Sequence, residues 1–187
     1  RGGRLHGGSV WVSGANSSQY LSALLFMAPL IGETVEIEVR DGLVSQPLVH
    51  TTVEVMRKAG IVVDAADDLL YFRIEGGQAY CAGEFSVNGD YPSSAALLAA
   101  GAVAGGDFCL NRLFVDSQGE RTVLPLLSEM GCSIDYDGQS VHLRGNGELR
   151  AVEFDGDMAT DAVLAMVAAA SLAEGESRFY GIGNLRL

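Results

Sequence analysis

Lysine is almost missing from this chain: of 12 basic residues only Lys58 is a lysine, set against 24 acidic residues and a net charge of −12. A nucleic-acid-binding surface needs a basic face, so that class of function is set aside and no nucleic-acid partner is expected. Cysteine is scarce too. Cys81, Cys109 and Cys132 are odd in number, form no Cys-x-x-Cys pair and have no histidine at metal-ligand spacing. A disulfide framework and a metal centre are therefore not expected, and no cofactor is implied. Buried free thiols in a reducing cytoplasm are the expected state. His6, His50 and His142 are equally isolated, and surface or satisfied-core roles suit each. Long apolar runs are also lacking. Leu21 to Ile31 and Ala162 to Ala173 fall short of the roughly 20 residues that a spanning helix needs, so no membrane association is expected. The first residue is arginine rather than methionine, and Arg186-Leu187 follows a strand and turn directly. Those ends give the expectation of a piece of a larger protein.

What is present is a repeat. With 187 residues and 48% apolar content, the chain can bury a substantial core in one large domain or two small ones. Ser9 to Ser13 alternates as a strand. A helix is predicted over 17–28, ended by Pro29 and Gly32, then a strand over 34–39. Ser45-Gln46-Pro47 opens a second, one-sided helix with proline in its first turn. Gly60 closes that helix in the position glycine favours. Strands over 61–64 and 69–74 complete a β-α-β-α-β-β unit. The order then returns: strand 84–88, helix to Ala104, strand 107–111, amphipathic helix 120–130, strands 132–136 and 140–144. Lys58-Ala59-Gly60-Ile61 is matched by Glu129-Met130-Gly131-Cys132, 71 residues on. A third unit has a strand over 151–154, a helix over 160–173 and a strand over 177–181. The fold class is α/β (α+β). In each unit the first helix is apolar nearly all round, so full burial is expected.

The three apolar helices open with Ser17-Ser18, Ser93-Ser94 and Thr160-Asp161. A helix start points unpaired N–H groups and the positive end of its dipole forward, where a phosphate is a natural guest. From the residues alone, Asn16, Ser17 or Ser18 acting as an ordinary helix cap is the simpler reading. Repeats that each bury an inner helix tend to aim equivalent starts at equivalent places. Ordinary α/β packing without a shared cleft stays open on periodicity alone.

Particular residues then narrow the choice. Gly14-Ala15-Asn16-Ser17-Ser18-Gln19-Tyr20-Leu21-Ser22-Ala23-Leu24-Leu25 resembles the signature of the 5-enolpyruvylshikimate-3-phosphate synthase family. Asp41 to Pro47 resembles that family's Ser-x-Pro segment, and Asp116-Ser117-Gln118-Gly119-Glu120 its later Gln-Gly-Asp. Asp155 to Ala162 is similar to its Asp-Met…Asp-Ala stretch, and Asn184-Leu185-Arg186 to its Asn-x-Arg. The matches are collinear along the chain.

That resemblance implies βαβαββ units around buried parallel helices in an enolpyruvyl transferase-like inverse α/β barrel. Residues 1–88 would be the last unit of one domain, and 89–187 one full and one truncated unit of the second, with Gly89-Asp90 at the hinge. It implies transfer of the enolpyruvyl group of phosphoenolpyruvate to the 5-hydroxyl of shikimate 3-phosphate with release of phosphate, in a cytoplasmic enzyme, monomeric at full length. Ser17, Ser18 and Ser45 would bind the shikimate phosphate, and Gln19 either substrate. Asp161 matches the proton acceptor, and Asn184 a further contact to the shikimate ligand. A first-turn aspartate is held ionised by the helix dipole, which suits a base as well as a plain capping role. Leu48 stands where many members carry tyrosine, and Thr160 replaces a common proline. The cationic residues that the template uses lie outside 1–187, so the chain alone is expected to be inactive. The alternatives are the UDP-N-acetylglucosamine enolpyruvyl transferase, which lacks the Ser-Ser-Gln opening, and a non-catalytic βαβαββ-repeat binding module.

Overall fold

In the computed structural model, which describes residues 3–186, the chain forms two compact units, Arg1–Phe85 and Ser86–Leu187. The first contains β1 (Gly8–Gly14), α1 (Gln19–Met27), β2 (Val35–Leu43), α2 (Gln46–Lys58), β3 (Asp64–Ala65) and β4 (Tyr71–Ile74). Its sheet has the order β1-β2-β4-β3, with β1 and β2 parallel and the other pairs antiparallel. This is one βαβαββ unit. The parallel pair arises because a helix carries the chain back between β1 and β2, as parallel neighbours require. Ile37 is the centre of the register, opposite Val10 on one side and Phe72 on the other. Leu21 and Leu25 of α1 with Val49, Val53 and Met56 of α2 are buried in the same cluster as Ile37, Phe72 and Ile74. Each such side chain contributes about 1.5–3 kcal/mol on leaving water. Pro29 continues α1 as a 3-10 turn over Ala28–Leu30 rather than ending it, since its missing N–H is no loss in a first turn.

The second unit contains α3 (Tyr91–Ala104), β5 (Gly106–Asn111), α4 (Val123–Glu129), β6 (Ser133–Tyr136), β7 (Ser140–Gly145), β8 (Glu153–Asp155), α5 (Val163–Ala170) and β9 (Arg178–Tyr180). The amphipathic helix expected over 120–130 is divided, with a 3-10 turn over Gly119–Thr122 leading into α4. The order β5-β7-β6, all antiparallel, repeats β2-β4-β3, and the parallel pair β8-β9 repeats β1-β2. One further contact marks the repeat. The Val44 N–H donates to the Gly14 carbonyl at 3.1 Å, Gly89 N–H to Arg112 O at 2.7 Å, and Gly156 N–H to Tyr180 O at 2.8 Å. Each glycine sits where the chain leaves for an apolar helix.

The structure corrects three expectations. Residues 84–88 form no strand; Phe85 and Val87 are exposed, the latter 81%, and pairing to β5 is reduced to the Gly89–Arg112 bond. The segment spans the boundary between the two units, and among the described residues the outer edge of β5, which a strand there would join, stays unpaired. The apolar helices bury one face only. Leu21, Leu98 and Met166 are enclosed, whereas Tyr20 (64%), Leu97 and Leu164 (76%) are open; all-round apolarity does not itself supply a covering layer. Of the free thiols, Cys132 is buried but Cys81 and Cys109 are exposed. Cys109 lies on β5 opposite His142, on the outward side of that strand.

Candidate functional site

In the first unit the predicted residues gather at the carboxyl ends of the parallel strands. β1 ends at Gly14, where an added Cβ would overlap the Gly42 carbonyl oxygen, so only glycine permits this approach. Asp41 (φ 65°), Gly42 (φ 85°) and Ser45 (φ 52°) are all left-handed, which bends the end of β2 towards Gly14 before α2 begins. The Val44–Gly14 bond then ties the approach to α2 to the approach to α1. One turn deeper, Ser22 Oγ and Thr52 Oγ1 lie 2.8 Å apart and join the two helices. A non-glycine residue held left-handed costs on the order of 1 kcal/mol or more, and such residues concentrate where a chain must present groups to a ligand. Ser45 is one, and it is buried.

The three residues at the start of α1 differ in their duties. Ser17 Oγ accepts the Gln19 N–H at 3.2 Å, a local turn rather than a cap reaching into the helix. Ser18 is only 3% exposed, makes no capping bond and has no hydrogen-bond partner among the described residues. Its carbonyl accepts the first helical N–H, from Ser22 at 3.0 Å. Gln19 is exposed. A buried hydroxyl without a partner is costly, and one standing at a helix start is available to an acceptor that arrives there. Segments 14–20 and 43–48 contain no lysine or arginine. The donors at this end are therefore neutral.

In the second unit, Asp161 lies in the 3-10 turn Thr160–Ala162 that leads into α5, with its side chain exposed. No ion pair or hydrogen bond engages its carboxylate among the described residues. Asn184 falls in the closing turn Gly183–Arg186, and its side chain lies outside the described residues. Asp161 thus belongs to one unit and the serines to the other.

Sequence reasoning gave no individual role to the residues around the start of α3. Gln118 Oε1 accepts the Tyr91 N–H at 3.0 Å, and its Nε2 donates to Gly89 O at 3.2 Å and Asp116 Oδ2 at 2.6 Å. The Asp90 carboxylate caps α3 by accepting the Ser93 N–H at 2.9 Å. Glu120 is only 4% exposed. Burial pushes its carboxyl above the ordinary range, and the nearby negative charges of Asp161 and Asp90 add to that. Elsewhere, a depression of about 410 Å³ on the outward face of the first sheet is lined by Ser9, Trp11, Glu36, Glu38, Arg40 and Tyr71. There the Arg40 guanidinium lies 5.1 Å over the Trp11 ring. The strict alternation of β1 was the signal that could have placed Trp11 on this outward face.

The repeated βαβαββ fold is shared with solved enolpyruvyl transferases. Two solved structures share it: EPSP synthase from Acinetobacter baumannii (TM-score 0.70, 19% identity, 96% of this chain and 42% of that one), and the enolpyruvyl transferase NikO from Streptomyces tendae (TM-score 0.66, 19% identity, 87% and 39%). In sequence, a 3-phosphoshikimate 1-carboxyvinyltransferase of Deinococcus radiodurans is 41% identical over 99% of this chain. The chain spans 42% of that relative's length. A family model described as EPSP synthase (3-phosphoshikimate 1-carboxyvinyltransferase) matches residues 1–187. The chain belongs to the EPSP synthase family.

Proposed function

We propose that this chain is a portion of an enzyme that transfers the enolpyruvyl group of phosphoenolpyruvate to the 5-hydroxyl of shikimate 3-phosphate and releases phosphate. The observation that carries this reading is the start of α1: a buried Ser18 hydroxyl without a partner among the described residues, in a family named for a phosphorylated shikimate substrate. Ser17, Ser18 and Ser45 hold the shikimate phosphate, together with the free N–H groups of the helix start. Gln19, exposed beside them, contacts shikimate 3-phosphate or phosphoenolpyruvate. Asp161 accepts the proton of the attacking hydroxyl, a task suited to an exposed carboxylate in a first turn. Asn184 makes a further contact to the shikimate ligand. Residues 1–88 complete one domain, and 89–187 begin the second. The open faces of α1, α3 and α5 are covered by the remainder of the longer protein, a cytoplasmic monomer.

The chain alone turns nothing over, because the neutral donors lack the cations that stabilise phosphate and carboxylate charge in the transition state. Steady turnover by the purified 187-residue chain would overturn that statement. For the longer protein, the experiment is phosphate release from phosphoenolpyruvate with shikimate 3-phosphate or UDP-N-acetylglucosamine as acceptor. Release with the first and none with the second is expected; the reverse pattern favours the UDP-sugar enzyme.

A further inference from the structure

The outward face of the sheet β5-β7-β6 carries reactive groups that the proposed transfer chemistry does not use. Alternation along β5 sends Phe108 towards α3, where an added Cβ on Gly101 would overlap its ring, and sends Cys109 the opposite way, into solvent. Register places Cys109 opposite His142 on β7, and His142 opposite Asp135 on β6. Thiol, imidazole and carboxylate thus stand in one row across three strands, all of them exposed. The Cys109 Sγ lies 3.6 Å from His142 Nε2, within hydrogen-bond reach for the larger sulfur atom, and 3.5 Å from Asn111 Oδ1. We propose that Cys109 is a modification site, a thiol that His142 deprotonates for exchange with a low-molecular-weight disulfide, preferably one carrying positive charge.

The thiolate, not the thiol, attacks a disulfide, and an adjacent imidazole is a group that can take the proton near neutral pH. Asn111 can accept a hydrogen bond from the thiol but cannot carry its proton away. In the step, the S–H proton passes to His142 Nε2 and the Cys109 sulfur attacks one sulfur of the incoming disulfide. A new S–S bond to Cys109 forms and the old S–S bond breaks. The departing thiolate takes the proton from the imidazolium, so the protein thiol is oxidised and one half of the reagent is reduced. Asp135 faces the imidazolium while it exists. The charge preference comes from the same face. Asp107 and Asp135 lie on it, and Asp137 of the β6–β7 turn is within electrostatic reach of His142. Against them stands Arg144, itself paired with Asp107 at 3.4 Å. A cationic reagent is drawn to such a surface and an anionic one is repelled, more strongly at low salt. A contact of purely structural value would hold the two side chains together equally well, but would leave exchange at Cys109 indifferent to His142.

The test needs no turnover. Cys81 is the internal reference, being exposed and, among the described residues, without a histidine hydrogen-bonded to its sulfur. The longer protein is treated briefly with cystamine, and modification of Cys109, Cys81 and Cys132 is read by peptide mass spectrometry. At about pH 6.5 Cys109 should react about tenfold faster than Cys81, and the two rates should converge above about pH 9, where solvent base ionises any exposed thiol. His142→Gln, a substitution at an exposed position, should remove the advantage, while Cys132 stays unmodified as the sign that the variant is folded. Dithiodipropionate, an anionic disulfide, should react at Cys109 several-fold more slowly than cystamine, with the gap closing in about 0.5 M salt. Cys109 reacting no faster than Cys81 in the wild type, or an advantage that survives His142→Gln, would overturn the proposal. Equal rates with the two disulfides at low salt would overturn its charge preference.

Discussion

Replacing Ser18 by alanine separates a ligand-binding hydroxyl from a structural one by the sign of its effect. A serine that caps a helix stabilises it, and losing such a cap costs about 0.5–2 kcal/mol. Ser18 makes no such bond, is 3% exposed and has no partner among the described residues. Its hydroxyl therefore sits in the folded state stripped of water, and removing it relieves part of a penalty of about 1–3 kcal/mol. Against this stands a void the size of one oxygen atom. The expected net result is a gain in stability of about 0.5–1.5 kcal/mol. Trp11 is the chain's only tryptophan and lies in the first unit, so urea unfolding followed by its fluorescence reports on this unit. An NMR titration with inorganic phosphate or shikimate 3-phosphate should meanwhile shift residues 16–20 and those near 45 in the wild type, and lose those shifts in the variant. A loss of 1 kcal/mol or more would refute the reasoning, because it would mean the hydroxyl already has a structural partner.

Gly14→Ala should cost several kcal/mol by the same urea measurement, because its Cβ would overlap the Gly42 carbonyl oxygen; a cost under about 0.5 kcal/mol would show that the strand ends can part freely. Asp137 accepts the Gln139 and Ser140 N–H groups at 2.8 and 2.7 Å in the β6–β7 turn, and these bonds hold its carboxyl below the ordinary range. A depressed carboxyl stabilises the fold above its unfolded pKa and ceases to do so as pH falls through the folded value. Asp137→Ala should therefore weaken the second unit at neutral pH, with the difference from wild type fading in acid. A difference that persisted in acid would contradict this. Ellman's reagent should label Cys81 and Cys109 promptly in the folded chain and reach Cys132 only on unfolding; three equal rates would contradict the burial pattern.

The parts that could be read from the sequence were those governed by local pattern. The alternation of β1, the one-sided apolar pattern of α2 and the proline at its first turn each yielded the observed element to within a few residues. Long-range circumstance was not readable. Phe85 and Val87 alternate as a strand would, yet among the described residues they stay unpaired beside the open edge of β5, which alternation alone does not reveal. The all-round apolarity of α1 and α5 does not tell which of their sides the fold encloses. Of the site, Ser17, Ser18, Ser45 and Asp161 were picked out by motif. The Val44–Gly14 bond that draws two of those segments together depends on left-handed backbone at residues 41, 42 and 45, of which only Gly42 has a telling residue type. Glu120 was the hardest to read, since a glutamate after Gln-Gly at a helix start resembles any solvated first turn, and only packing reveals its burial.

The measurement that bears most directly on the proposed chemistry is a comparison of the longer protein with its Asp161→Ala variant. Turnover would be followed by phosphate release at saturating phosphoenolpyruvate and shikimate 3-phosphate. Binding of shikimate 3-phosphate would be measured separately by calorimetry. A positioned base contributes on the order of 10²–10⁴ in rate, so kcat should fall by that factor while the shikimate 3-phosphate affinity changes little. An unchanged kcat, or a loss confined to affinity, would contradict the assignment and leave Asp161 as an ordinary residue of a helix's first turn.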